Sequence, residues 1–169
     1  MLARAVEALQ NGEEPDLEQP LRRGVEIELH VSALIPETYL ADVQARLTLY
    51  KRIASARDRD GLRELQVEMI DRFGLLPEPV KNLFEVAELR LEAERIGITR
   101  LDFGPQGGRL EFSDDTRADP GVVIRLVQES RGRYRMDGPQ TLRIRAEVTD
   151  ARERFQETTR LVRSMAPNE

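Results

Sequence analysis

The stretch LYKRIASARDRDGLRELQVEMIDRFGLLPEP, residues 49–79, joins two amphipathic helices through a charged turn and ends in a glycine and two prolines. Before the turn, Tyr39, Val43, Leu47, Tyr50 and Ile53 recur at intervals of three and four. That apolar stripe predicts a helix after Pro36 that runs to about Ala56. Beyond the turn, Asp58 or Asp60 can cap exposed amide donors, Leu62, Leu65, Met69 and Phe73 form the next stripe, and Gly74 suits a left-handed exit. A third helix enters at Pro77-Glu78-Pro79, where proline is tolerated in a first turn. It carries Val80, Leu83, Phe84, Ala87, Leu91 and Ile96 on its inner side and stops at Gly97. Residues 38–96 therefore read as one helical block.

On either side of this block the period changes. Val25, Ile27, Leu29 and Val31 alternate with Glu26, Glu28 and His30, the period of two expected of a half-buried strand with His30 on its polar side. Residues 98–103 and 109–112 flank Gly104-Pro-Gln-Gly-Gly108 and read as a hairpin with a five-residue loop. Asp119-Pro120 caps and starts a short helix with Val123, Leu126 and Val127. A second hairpin sets Tyr134 and Met136 against Leu142 and Ile144 across the turn Asp137-Gly-Pro-Gln140. A last helix from about Asp150 carries Phe155, Thr158, Val162 and Met165. At the amino end, Leu2, Val6 and Leu9 predict a short helix, followed by the polar linker GEEPDLEQ, residues 12–19. Hairpins imply antiparallel pairing. The expected fold class is α+β, a small antiparallel or mixed sheet packed with about six helices.

A length of 169 residues suits one main domain with an attached leader. Charged residues make up 34% of the chain and hydrophobic ones 40%, a composition that folds but carries a heavily charged surface. The net charge of -5 argues against non-specific adhesion to DNA by the whole surface. Cysteine is absent and His30 is the sole histidine, which excludes disulfides, thiol chemistry and multi-histidine metal sites. No apolar run reaches the roughly 18 residues of a membrane span, so no membrane contact is expected and the expected location is the cytoplasm.

Catalytic signatures are missing. No glycine-rich run ends in the Lys and Ser or Thr of a phosphate-binding loop, and Gly104 to Gly108 reads as a turn. No serine stands in a Gly-x-Ser-x-Gly elbow, His30 has no neighbour in sequence to work with as an acid or base, and Asp114-Asp115 reads as a pair of turn acids. No catalytic, cofactor-binding or metal-ligating residue is expected.

The charge distribution says more. Residues 58–94 hold ten acids against five bases, and residues 125–163 hold ten arginines against six acids. In the first segment, Glu64, Glu68, Asp71 and Arg72 lie beside or opposite the Leu65-Met69 stripe. Glu64 and Glu68 repel one another at a spacing of four, which a basic partner surface would relieve. These four residues form the expected partner-binding face. In the second segment, Arg133, Arg135, Arg143 and Arg145 alternate on one hairpin and form an alternative face for nucleic acid.

Tyr50-Lys-Arg-Ile-Ala-Ser-Ala56, Glu64-Leu-Gln-Val-Glu-Met-Ile-Asp-Arg-Phe-Gly-Leu-Leu-Pro77 and Tyr134-Arg-Met-Asp-Gly-Pro139, in that order, resemble the carboxyl-terminal domain of bacterial transcription-repair coupling factors. Met1 to Leu9 resembles the helix that follows the motor in that family. The resemblance implies that the intact protein is an ATP-driven DNA translocase using ATP and Mg, which pushes stalled RNA polymerase off damaged DNA and recruits nucleotide excision repair. The motor motifs are not in this sequence, so the chain itself is not expected to be an enzyme or to hold a cofactor. Residues 1–24 would lead from the motor and 25–169 would form a single regulatory domain. That domain would pack on an amino-terminal module similar to a damage-binding subunit and hide the surface that recruits the repair ATPase until the motor engages polymerase. Contacts with RNA polymerase, DNA and the repair ATPase would be indirect, and the isolated domain would be a monomer.

Overall fold

The computed structural model of the chain describes residues 25–167. The helix and linker expected over residues 1–24 lie outside them. Five helices and five strands are described: β1 (Glu26–Glu28), α1 (Val43–Ser55), α2 (Arg59–Phe73), α3 (Glu78–Ile96), β2 (Ile98–Gly104), β3 (Gly107–Phe112), α4 (Pro120–Glu129), β4 (Tyr134–Met136), β5 (Thr141–Ile144) and α5 (Ala151–Ser164). The fold is α+β. Of the six helices expected, the sixth is the one at residues 1–10. No helix among the described residues is long and apolar enough to cross a membrane.

The described residues group into two compact units, 32–88 and 25–31 with 89–167. The first is helical. Asp42 caps α1 by accepting from the Gln44 amide at 3.1 Å, and Asp58 caps α2 by accepting from Gly61 at 2.8 Å. Gly74, at φ 99°, ends α2 where a side chain would be strained. Leu49, Ile53, Leu62, Leu65, Met69 and Phe84 are buried in this unit. Helix α1 starts later than the stripe predicts, because Tyr39 belongs to a preceding turn in which its amide donates to the Pro36 carbonyl. From that turn its hydroxyl donates to the carbonyls of Met69 (3.2 Å) and Gly74 (2.9 Å), tying the turn to the end of α2.

The second unit is built on a five-stranded sheet in the order β1-β2-β3-β5-β4. Strand β1 runs parallel to β2 and every other pair is antiparallel, so the sheet is mixed. Its inner face carries Ile27, Leu101, Leu110 and Leu142 in register, all buried. Two expectations are corrected here. The first hairpin turns on Pro105-Gln106 alone, since Gly104 and Gly107 still pair; lacking side chains, the glycines extend the ladder. Strand β1 stops at Glu28, and His30 adopts φ 55°, which ends the alternation expected through Val31.

Arg154 of α5 explains that stop. It is 2% exposed, and its guanidinium donates to the carbonyls of Leu29 (3.2 Å), His30 (3.1 Å), Val148 (2.8 Å) and Thr149 (3.0 Å). The end of β1 is thereby pinned to the start of α5. The carboxyl end of α3 is closed within this unit as well: Thr116 and Arg117 donate to the Ile96 carbonyl, and Ser113 to that of Gly97. Asp114 and Asp115 are turn acids of that closure, accepting from Gln140 and Ser113.

Candidate protein-interaction site

Helix α2 separates the four residues of the expected acidic face into two kinds. Leu62, Leu65 and Met69 point inward. Glu68 and Arg72 stand on the flank facing α1. Arg52 of α1 donates both terminal nitrogens to the Glu68 carboxylate, one of them at 2.9 Å, and Arg72 approaches the same carboxylate at 3.5 Å. The Arg52 hydrogen bond holds the Glu68 carboxyl below the usual carboxylate range, and the same bond raises the Arg52 guanidinium. Arg72 also lies 4.9 Å above the ring centroid of Phe73. The relief expected for Glu68 from a basic partner is thus supplied inside the unit.

Glu64 and Asp71 remain on the outer face, both exposed. Between them stand two residues that the sequence reading left unassigned, Val67 at 55% and Ile70 at 38% exposure, and Leu75 follows Gly74 at 85%. Positions 64, 67, 70 and 71 recur at three and four and so share one side of α2, and Leu75 follows just past the helix end. The outer face is an apolar ridge flanked by two carboxylates. Its signal in the sequence was two β-branched residues out of phase with the buried stripe.

The alternative face divides likewise. Arg135 and Arg143 are direct partners across β4 and β5, and the Arg145 amide donates to the Arg133 carbonyl at 2.6 Å, so the four arginines do meet on one hairpin. Two are already engaged. Arg133 is bound to Glu157 of α5, which raises its guanidinium, and Arg143 donates to Asp137 at 2.8 Å, which lowers that carboxyl. His30, for which the sequence named no partner, lies 3.0 Å from Asp102 of β2, brought there by the parallel pairing of β1 with β2.

The TRCF domain family model matches residues 29–123, which cover more than half of the chain. The chain belongs to the TRCF domain family. Over 166 residues, 98% of its length, this TRCF domain is 44% identical to the transcription-repair-coupling factor of Haemophilus influenzae. It is 38% identical over 168 residues to the Escherichia coli protein of the same name. It spans 14% and 15% of those two relatives. In fold it is similar to a solved C-terminal domain of transcription-repair coupling factor, with a TM-score of 0.70 at 21% identity over 84% of this chain and 91% of that one.

Proposed function

We propose that this TRCF domain is a regulatory protein-interaction domain that docks, through the outer face of α2, on an amino-terminal module of the same protein. Docking there masks the surface that recruits the excision-repair ATPase, and the mask lifts when the motor engages stalled RNA polymerase. The reading rests above all on one observation, the exposed ridge of Val67, Ile70 and Leu75 flanked by Glu64 and Asp71. Isolated exposed apolar residues need no explanation, but two on one helix side with a third just past the helix end make a small docking surface. Its modest size fits a mask that must open: a tethered contact gains from high effective concentration, so weak intrinsic affinity suffices and a conformational change can break it. The flanking acids favour a basic partner surface and help set its register. ATP and Mg belong, on this reading, to the motor of the full-length protein, and contacts with RNA polymerase and DNA pass through that motor.

The test is a pull-down of the purified amino-terminal module by this domain. Glu64→Lys with Asp71→Lys is expected to weaken capture at least tenfold while leaving the thermal midpoint unchanged, because neither carboxylate has a partner among the described residues. Glu68→Arg is expected to lower the midpoint as well, since it places a cation against Arg52. Capture undiminished by the Glu64 and Asp71 reversals would reject this face.

A further inference from the structure

The solvent face of the sheet carries a row of charges that the α2 reading does not use. Glu28, Asp102, Arg109, Arg143 and Arg135 stand in direct register across all five strands. The row has a direction, with acids on β1 and β2 and arginines on β3, β5 and β4. Side chains directly opposite one another lie about 4.5–5.5 Å apart at Cβ, where like charges are destabilising. Three neighbouring guanidinium groups are therefore unfavourable for the fold unless anions meet them. Internal carboxylates meet them in part: Asp137 binds Arg143 at 2.8 Å, and Glu111 lies 3.5 Å from Arg109. Arg145, on the same face two residues beyond Arg143, has no ion pair among the described residues. Beside these arginines, Gly107 and Gly108 help line an open trough of about 600 Å³ in which Arg109, Arg143 and Arg145 outnumber the two carboxylates, Asp102 and Glu147.

We propose that this row binds an acidic helix of a protein partner, laid across the strands with Asp or Glu at positions i, i+4 and i+7. The spacings agree. Neighbouring strands are about 4.8 Å apart and a helix presents one residue per face about every 5.4 Å, a mismatch that long arginine side chains absorb. Arg-carboxylate pairs there are charge-assisted and can be bidentate. Nucleic acid fits less well, because a line of phosphates along the same row runs onto Asp102 and Glu28. The aromatic ring needed for base stacking is also missing from this side, since Tyr134 pairs with Ile144 on the inner face.

The test uses the isotope-labelled chain at low salt and three probes: an alanine-based helical peptide with Glu at i, i+4 and i+7, an isomer with the same Glu residues spread around the helix, and an oligo-dT of equal charge. The first peptide is expected to move the Nε–H signals of Arg109, Arg143 and Arg135, with that of the adjacent Arg145, saturably and to bind at least fivefold tighter than the isomer. Arg143→Ala with Arg145→Ala is expected to weaken it at least tenfold. Arg145→Ala alone disturbs no internal ion pair and is expected to weaken it about threefold without loss of fold. Glu64→Lys with Asp71→Lys leaves it unchanged, which separates this face from the α2 face. No saturable shift, equal affinity for the isomer, or tighter binding of oligo-dT would overturn the proposal.

Discussion

At the scale of single residues, the most consequential side chain is Arg154. A buried guanidinium is tolerated here because four carbonyls accept from it, two from the residues just after the β1 stop and two from the entry to α5. Removing it strands the buried carbonyls of Leu29 and Val148 at a cost of about 1 kcal/mol each, and the part-buried ones of His30 and Thr149 at about half that. Arg154→Ala is expected to lower stability by about 3 kcal/mol, read as a shift of the urea midpoint. A second residue-scale effect follows from Glu68. Its folded pKa is depressed by Arg52, so the pair's contribution is fully present above the unfolded carboxyl value of about 4.3 and is lost as pH falls through the lower folded value. The stability difference between the native chain and Glu68→Gln is therefore expected to be constant near neutrality and to close in acid. Thermal midpoints taken from pH 7 downward check this; a gap that widens in acid contradicts the assignment.

At the scale of elements, the first hairpin depends on glycine for two separate reasons. Gly107 sits at φ 126° and a Cβ there would lie 2.7 Å from the Ile144 carbonyl oxygen, while a Cβ on Gly108 would overlap the Asp102 carbonyl. Gly138, at φ 88° in the second hairpin turn, has open space around it. Gly138→Ala should thus cost only the backbone strain, on the order of 1 kcal/mol, whereas Gly107→Ala and Gly108→Ala should cost well over 2 kcal/mol or prevent folding. Circular dichroism with denaturant titration of the three variants ranks them. Helix α4 stands at the other extreme. It has no buried residue and exposes Ile124 at 54%, although Asp119 caps it well. Few buried contacts mean cheap local opening. Its amides are expected to exchange with deuterium faster than those of the other four described helices.

At the scale of the whole molecule, the charge segregation of the sequence becomes two faces of different kinds on different units. The α2 face mixes apolar surface with two acids, whereas the sheet face is charged throughout. Salt should separate them. Raising NaCl largely screens exposed charges that lie farther apart than about 10 Å at 0.1 M, or about 3 Å at 1 M. Capture of the amino-terminal module is expected to survive high salt in part, because Val67, Ile70 and Leu75 contribute independently of charge. A complete loss of capture by 0.5 M NaCl would show that the ridge contributes nothing.

Local patterns in the sequence decided the elements: the stripe through Leu62, Leu65 and Met69, the cap at Asp119, the helix start near Asp150 and the turn at Asp137 to Gln140 all act within a few residues, where spacing is visible along the chain. The choice of Asp58 over Asp60 as the cap of α2, by contrast, came from the structure. The mixed α+β class followed from those elements, and the family from the wording of residues 50–56, 64–77 and 134–139. What depends on partners far away in the chain was decided only by the tertiary structure. Arg154 falls within the inward stripe of α5, yet its acceptors at Leu29 and His30 lie some 125 residues earlier. Glu68 reads in the sequence as a docking carboxylate, and only the packing of another helix shows that Arg52 stands beside it. The arginine row exists only because β3 pairs with β5 rather than with β4, a register that no single strand encodes. Helical and strand periods record which side of an element is apolar, whereas the partner of a charged side chain is set by how the elements pack.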